Sequence, residues 1–308
     1  MIAVKKSTYV LGRSYGALSN FTELLAQLII YRKPPNDVIV QNGIKYGNGP
    51  SEKLNLIYKK SERKQPLLIY IHGGGFISGL VNMRNTYCSE FAKEGLFAVN
   101  IDYEDAPKQI FPFQINQCLK AIDWVFDHAD EYNIDTSKIL LAGESAGSYF
   151  TYYISGIVNN PSLLKKLNLD FKHLNKFKRS AIISNCGAID LVRLSKSKFP
   201  GLKIMIESFT DKTIKEIKAN ASREEIRIMS PEITKATPPS MIIYAKNDII
   251  KSESLDFIKQ LISLGVPNKS FEGTGLISFH GFPIATITKK GKECLKSTLD
   301  FVIPYIKE

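Results

Sequence analysis

The chain of 308 residues has no long hydrophobic run and few cysteines. Its longest apolar runs are about six residues, whereas a membrane-spanning helix needs roughly 20, so we expect no membrane span. Its four cysteines are far apart and form no C-x-x-C pair, which argues against a zinc site or a disulfide framework. We expect free buried thiols and a cytoplasmic location, because residues 1–19 also lack the apolar core of a signal peptide.

Acidic residues are too few to balance the basic ones. The sequence has 41 Lys and Arg against 30 Asp and Glu, which gives a net charge of +11. Such a surplus can indicate an acidic partner. However, the basic residues are scattered, and no zinc-finger spacing, RNP-like strand or long basic helix accompanies them. We therefore expect a lysine-rich surface and no nucleic-acid partner, although the charge could favour anionic substrates or lipid at a membrane surface.

Short apolar runs alternate with segments of helical periodicity along the chain. The predicted strands are residues 38–40, 54–58, 67–71, 97–102, 139–142, 181–185 and 241–245. This alternation predicts an α/β fold, with a mostly parallel central sheet covered by helices on both faces, in a single domain over residues 1–308. Residues of about 1–35 and 190–235 are helical additions to this pattern, and we expect them to form a cap.

A glycine-rich loop follows the third predicted strand, where residues 72–76 read HGGGF. Three consecutive glycines let backbone N–H groups approach a ligand oxygen closely. Glycines alone would favour a flexible turn. Their position at the carboxyl end of a buried strand instead favours a site that binds an anion or an oxyanion.

A serine lies at a predicted strand–turn–helix junction, where residues 143–147 read GESAG. Such a turn exposes the serine oxygen above the sheet, and its flanking glycines avoid clashes with the strand and the helix. Residues 12–16, GRSYG, match the same pattern, but no apolar strand precedes them. We therefore interpret Ser145 as the nucleophile and the match at Ser14 as a coincidence.

A serine nucleophile needs a base that a carboxylate holds in place. Among the four histidines, His280 follows the last predicted strand beside a glycine and is the expected base, whereas His72 belongs to the glycine loop. Asp248 directly follows the strand at 241–245 and is the expected acid, because the order Ser, Asp, His is typical of α/β-hydrolases. Asp190, after the preceding strand, is the alternative acid or a residue that supports the site.

Together these segments resemble the hormone-sensitive-lipase family of α/β-hydrolases, carboxylesterases that include arylacetamide-deacetylase-like enzymes. The resemblance extends from about residue 67 to residue 282 and also rests on Asp-Tyr, Ala-Pro and Phe-Pro pairs within residues 102–112. It implies the α/β-hydrolase fold with a helical cap. The chain departs from the family at residues 104 and 105, which are Glu-Asp where Arg-Leu is usual, and at Lys108, where Glu is usual.

The resemblance also implies roles for residues around the serine. The implied oxyanion-hole donors are the N–H groups of Gly74, Gly75 and Ala146, with His72 and Gly73 shaping the loop. We further expect the substrate pocket to include Phe76, Glu144 and Asp190. Four apolar residues near the N-terminus would join Phe76 in a hydrophobic mouth, although packing between cap helices explains them equally well. These four residues are Phe21, Leu24, Leu25 and Leu28.

The expected function is hydrolysis of small, apolar carboxylic esters through an acyl-enzyme intermediate. This chemistry requires no metal and no organic cofactor, and its partner is a small-molecule ester. Three alternatives stay open: an amidase or formamidase, a deacetylase, and a non-catalytic binding protein on the same fold. A homodimer is compatible with the sequence.

Overall fold

The computed structural model describes residues 6–30, 32–197, 201–220, 234–275 and 278–307. Parts of the predicted cap, at residues 1–5, 198–200 and 221–233, lie outside the described residues, as do residues 276 and 277 shortly before His280.

The described strands form one sheet of eight. Their bounds are β1 Ile39–Lys45, β2 Lys53–Tyr58, β3 Gln65–Ile71, β4 Phe97–Ile101, β5 Ile134–Glu144, β6 Arg179–Asn185, β7 Ser240–Ala245 and β8 Asn268–Gly273. The order across the sheet is β1-β2-β4-β3-β5-β6-β7-β8. The pairs β1–β2 and β2–β4 are antiparallel, and all the others are parallel. Each predicted strand overlaps one of these, so the predicted α/β-hydrolase sheet is confirmed.

Strand β8 is the one that the sequence pattern missed. It lies at the edge of the sheet beside β7, and most of its side chains are exposed or partly exposed. Because an edge strand with little burial needs no apolar run, hydrophobic periodicity gives no signal for it.

Helices occupy the connections between the strands. The described α-helices are α1 Lys6–Ile30, α2 Asn85–Lys93, α3 Phe113–Asp127, α4 Ala146–Asn159, α5 Ser162–Leu167, α6 Leu191–Leu194, α7 Leu202–Thr210, α8 Ile214–Ala219, α9 Lys251–Ser263 and α10 Lys289–Val302. Three short 3₁₀ helices are Val81–Arg84, Phe282–Ile284 and Ile303–Tyr305.

The alternating side chains of β3 show how the sheet forms two hydrophobic cores. Leu67, Ile69 and Ile71 belong to the core that also holds residues of α3, α4 and α9. Leu68 and Tyr70 belong to the opposite core, with residues of α2 and α10. Because successive side chains of a strand point to opposite faces, both faces of the sheet are covered by helices. Each such fully buried apolar side chain contributes roughly 2 kcal/mol to folding.

The N-terminal helix α1 lies against α7 and the glycine-rich loop, and it contains the GRSYG segment. A Cβ atom on Gly12 would lie 2.4 Å from Ser208 Oγ, and one on Gly16 would lie 2.2 Å from the carbonyl oxygen of Ile77. These glycines therefore allow close packing of the helix, while Ser14 between them is exposed. Within the described part of the chain, no helix combines the length and the hydropathy that crossing a bilayer requires.

Candidate active site

Ser145 lies at the sharp turn between β5 and α4. Its backbone has φ +50° and ψ −118°, a conformation that is strained for a residue with a side chain. The flanking glycines make room for the turn, since a Cβ on Gly143 would lie 2.4 Å from the carbonyl group of Gly147, and one on Gly147 would lie 2.0 Å from the carbonyl oxygen of Ile71. The sequence GESAG therefore holds the serine at the carboxyl edge of the sheet.

The structure brings Ser145, His280 and Asp248 into one hydrogen-bonded chain. Nε2 of His280 lies 2.8 Å from Ser145 Oγ, and Nδ1 lies 2.8 Å from Asp248 Oδ2. Asp248 is buried, and its other oxygen accepts a hydrogen bond of 2.9 Å from the N–H of Ile250. With a proton on Nδ1, the imidazole donates to the carboxylate and can accept the proton of the serine.

Asp190, the alternative acid, lies outside this chain of hydrogen bonds. It is the N-cap of α6, where Oδ1 accepts hydrogen bonds from the N–H groups of Val192 at 2.8 Å and Arg193 at 3.2 Å. Its own N–H donates to Glu253 at 2.8 Å. The described lining of the cavity beside Ser145 includes Ala188 but not Asp190. The structure thus gives Asp190 the role of a helix cap and corrects its placement in the substrate pocket.

The glycine-rich loop approaches Ser145 with its backbone. Gly74 has φ +118° and Gly75 has φ +61°, which favour glycine. A Cβ on Gly73 would lie 3.1 Å from Ser145 Cβ, so this residue lies directly against the serine. Gly74, Gly75 and Ala146 line the same cavity as Ser145, and no hydrogen bond within the described residues has their N–H groups as donors. Three backbone donors can therefore face an oxygen bound next to the serine.

His72 is buried beneath this loop. Its Nδ1 lies 2.7 Å from the carbonyl oxygen of Gly73, its ring stacks on Tyr103 with centroids 4.2 Å apart, and its own carbonyl accepts a 2.8 Å hydrogen bond from the Tyr103 hydroxyl. Burial opposes the charged imidazole, but Asp102, whose Oδ1 is 3.4 Å from Nε2, raises the pKa of His72 above its usual value. These contacts fit the expected role of His72 in shaping the loop.

A cavity of about 300 Å³ lies over Ser145 and His280. Its apolar walls come from the glycine-rich loop, α7 and neighbouring residues. They include Phe76, Met83, Leu194, Leu202, Met205 and Ile250. Phe76 and Glu144 thus border the cavity as expected, and α1 contributes Ser19, Glu23 and Ala26 to its lining.

The hydrophobic mouth that we expected from α1 is absent from the described lining of the cavity. Phe21, Leu24, Leu25 and Leu28 are all exposed, and Leu28 reaches 79% exposure. The prediction fails because the side of α1 that faces the protein carries small and polar residues, among them Gly12, Gly16, Ser19, Glu23 and Ala26, and these four apolar side chains lie on its solvent side.

An ion-paired group that the sequence did not reveal connects α1 to the serine turn. Arg84 is buried, and its Nε donates to Glu144 at 2.8 Å while its Nη1 donates to Glu23 at 2.8 Å. Tyr70 also donates a 2.7 Å hydrogen bond to Glu144. Burial raises the pKa of Glu23, but the charge and hydrogen bonds of Arg84 and the N–H of Leu80 together outweigh burial, so the pKa is below the usual value. No motif marks Arg84, because both partners are about 60 residues away in sequence.

The loop at residues 102–108 explains the departure from the family pattern. Lys108 Nζ lies 2.6 Å from Glu104 Oε1, so two of the residues that depart from the family pattern form an ion pair with each other. Asp105, where the family usually has Leu, is desolvated, and this burial raises its pKa to about 7. Its Oδ1 is buried without a hydrogen-bond partner among the described residues.

The sheet topology, the serine turn and the cavity define the class as an α/β-hydrolase. Residues 54–261, more than half of the chain, match the model of the BD-FAE family. The chain belongs to this family.

The relatives of this chain include an esterase and a lipase. An esterase of Gibberella moniliformis is 24% identical over 274 residues, covering 84% of this chain and 80% of that one. Hormone-sensitive lipase of Mus musculus is 32% identical over 134 residues, covering 43% of this chain and 18% of that one. The crystal structure of esterase B from Lactobacillus rhamnosis shares the fold, with a TM-score of 0.82, 18% identity and coverage of 97% of this chain and 94% of that one. The predicted resemblance and the class of carboxylic ester hydrolase are confirmed.

Proposed function

We propose that this protein hydrolyses small, apolar carboxylic esters through an acyl-enzyme formed on Ser145. The observation that carries the proposal is the pair of 2.8 Å contacts, from Ser145 Oγ to His280 Nε2 and from His280 Nδ1 to Asp248 Oδ2. A serine hydroxyl is a weak nucleophile unless an adjacent base can take its proton. The contacts provide that base and a carboxylate that fixes its tautomer.

In the first half of the reaction, Ser145 Oγ attacks the ester carbonyl carbon while His280 Nε2 takes the hydroxyl proton. The carbonyl oxygen becomes an oxyanion, and the N–H groups of Gly74, Gly75 and Ala146 stabilise it. Each such donor contributes about 3 kcal/mol to the transition state in comparable sites. The tetrahedral intermediate then collapses, the bond to the alcohol oxygen breaks, and His280 returns the proton to the leaving alcohol.

In the second half, water replaces the alcohol. His280 takes a proton from the water as its oxygen attacks the acyl carbon, and the same three N–H groups hold the second oxyanion. Collapse of this intermediate breaks the bond to Ser145 Oγ, which recovers its proton from His280, and releases the carboxylic acid. Asp248 accepts the hydrogen bond from Nδ1 and stabilises the imidazolium that forms in each half.

The cavity supports short or medium acyl groups. Its volume of about 300 Å³ is at the small end of ligand-binding pockets. Side chains of Phe76, Leu202 and Met205 make its walls apolar close to the serine. The similarity to an esterase and to hormone-sensitive lipase supports an ester substrate as well.

The test compares the two serines of the GxSxG patterns. We expect Ser145→Ala to lower kcat for p-nitrophenyl butyrate by about 10⁴-fold or more, whereas Ser14→Ala retains full turnover because Ser14 is exposed on α1. A fluorophosphonate probe should label the parent chain and Ser14→Ala but not Ser145→Ala.

The same variants, assayed with further substrates, separate the alternative functions. Turnover retained in Ser145→Ala would refute the proposal. A chain that neither hydrolyses esters nor reacts with the probe would be a binding protein on this fold. Faster turnover of a matched anilide than of the ester would identify an amidase that uses the same residues, and release of acetate from an acetylated amine would identify a deacetylase.

A further inference from the structure

Helix α1 exposes an apolar face to solvent. Eight of the large hydrophobic side chains that are exposed in the described residues belong to this helix, and five lie elsewhere. Leu18, Phe21, Leu25 and Leu28 follow one another at i, i+3, i+7 and i+10, a spacing that places them on one face of the helix. Their exposures range from 49% to 79%. We call this the α1 outer face.

The opposite face of α1 contacts the protein and closes over the cavity. Ser19, Glu23 and Ala26, at i, i+4 and i+7, line the cavity that holds Ser145. Glu23 binds Arg84, and Ser19 Oγ lies 2.9 Å from Ser78 Oγ in the glycine-rich loop. The outer face is therefore displayed by a helix whose other side forms a wall of the candidate active site.

Two more exposed apolar side chains lie beside residues of the same cavity. Ile249 is 55% exposed and precedes Ile250, which lines the cavity. Phe279 is 57% exposed and precedes His280. Large apolar groups therefore occur both on α1 and on the loops that carry the proposed acid and base. A row of large exposed apolar side chains such as the α1 outer face marks an interaction site.

The charges on the α1 segment itself are mostly positive, whereas acidic and basic residues of α7, α8 and the loop between them are mixed beside its first turns. Residues 6–33 contain four basic residues, Lys6, Arg13, Arg32 and Lys33, and a single acidic one, Glu23. Glu23 is turned inward and paired with Arg84, so it contributes no exposed negative charge to the outer face. The whole chain carries a net charge of +11. An amphipathic helix with an apolar face and flanking cations has the chemistry that anionic lipid surfaces bind.

The charge distribution disfavours a second copy of the chain as the occupant of this face. Cations stand at both ends of the α1 segment, Lys6 and Arg13 before the apolar row and Arg32 and Lys33 after it. Pairing two copies through α1 in either direction would therefore bring cations of one copy toward cations of the other, and no exposed acid on the helix would compensate them. Anionic phospholipid head groups would instead attract the same cations.

We propose that the α1 outer face docks the protein on an anionic lipid surface, which places the cavity behind α1 about one helix diameter from that surface, roughly 10 Å. Phe21, Leu25 and Leu28 enter the boundary between head groups and acyl chains, and Lys6 and Arg13 contact the head groups. This inference rests on the proposed function and extends it, because it names a lipid surface as the place where the protein binds its ester substrates.

The test measures binding without turnover. The Ser145→Ala chain is mixed with vesicles of phosphatidylcholine that contain about one third phosphatidylglycerol, and the bound fraction is measured by flotation. We expect binding to these vesicles and little to pure phosphatidylcholine. The further changes Phe21→Ser, Leu25→Ser and Leu28→Ser should lower the partition coefficient by at least about tenfold. The change Ile262→Ser, at a 65% exposed residue of α9, should leave it unaltered.

The electrostatic part of the proposal has its own variant. Lys6→Gln with Arg13→Gln should weaken vesicle binding by about 25-fold, about fivefold for each cation at the surface, and about 0.5 M salt should weaken binding of the parent chain. Circular dichroism and Tm verify that the variants are folded.

Three outcomes would overturn the docking proposal. The first is absence of binding to both kinds of vesicle, and the second is undiminished binding of the folded triple variant. The third is a dimer in size-exclusion chromatography that the triple variant converts to a monomer, which would make α1 an interface between copies. Because the assay uses an inactive chain, none of these results affects the proposed hydrolysis, and loss of hydrolysis would not affect them.

Discussion

The same sequence pattern, G-x-S-x-G, occurs in two regions with opposite consequences. At residues 143–147 it follows a buried strand, and the glycines permit a strained turn that presents Ser145 above the sheet. At residues 12–16 it lies inside α1, where the glycines permit close helix packing and Ser14 points to solvent. Glycine removes a Cβ in both cases, and the surrounding backbone decides what that space is used for.

The comparison between the candidate active site and the cap extends to two aspartates, and they give its sharpest test. Asp248 follows β7 and binds His280, whereas Asp190 caps α6 at the start of the predicted cap. We expect Asp248→Asn to lower kcat by about 10⁴-fold, because an amide facing Nδ1 favours the wrong imidazole tautomer. Ester hydrolysis at neutral pH measures the effect.

Asp190→Asn is the matched control. Asparagine caps a helix about as well as aspartate, and its oxygen can still accept from the N–H of Val192, so we expect turnover within a few-fold of the parent. If the two variants lost activity equally, Asp190 would take part in the reaction, and the distinction between the two regions would fail.

The catalytic side of this comparison could be predicted from the sequence for a physical reason. Parallel strands end at one edge of the sheet, so polar residues directly after apolar strands meet there even when they are far apart in sequence. Ser145 and Asp248 directly follow β5 and β7, and the structure brings both to His280. Their catalytic roles stay a prediction, since turnover alone tests them.

The cap side could not be predicted to the same depth. Helical periodicity identifies α1, but it does not say which face is buried, and Phe21 and Leu28 proved to face solvent. The link between Glu23 and Glu144 depends on Arg84, whose burial arises from tertiary packing. A single arginine without a motif carries no such information in sequence.

Gly143 and Gly12, the first glycines of the two G-x-S-x-G patterns, can be compared directly, and we expect a smaller loss of activity than for Asp248→Asn. A Cβ added to Gly143 would lie 2.4 Å from the carbonyl group of Gly147. A Cβ added to Gly12 would also lie 2.4 Å from its nearest neighbour, which is Ser208 Oγ. Backbone at the serine turn cannot move without displacing Ser145, whereas a hydroxyl can rotate. We expect Gly143→Ala to lower kcat/KM by about 100-fold and Gly12→Ala to change it little.

Fluorophosphonate labelling rates and Tm complete this measurement. Gly143→Ala should be labelled slowly, and a lowered Tm would accompany the overpacking. Equal loss of activity in Gly12→Ala would mean that the packing of α1 controls the serine turn as strongly as the turn's own glycines do.

The smallest expected effect concerns the loop at residues 102–108, which contacts α1. Pro107 of this loop lies beside Gly12 of α1, and the nearby carboxyl of Asp105 has its pKa raised to about 7 by burial, above the ordinary 3.8. The folded state therefore keeps this proton between these two pH values while the unfolded state releases it. As a result, the parent chain loses stability as pH rises from about 4 to about 7, and loses no more from this group above that.

Asp105→Asn removes the titration, so its Tm advantage over the parent should grow by roughly 5 °C between about pH 5 and pH 8. Asp170→Asn, at an exposed carboxyl, should show no such change, and a constant gap for Asp105→Asn would mean that Asp105 is ionised in the folded protein throughout this range.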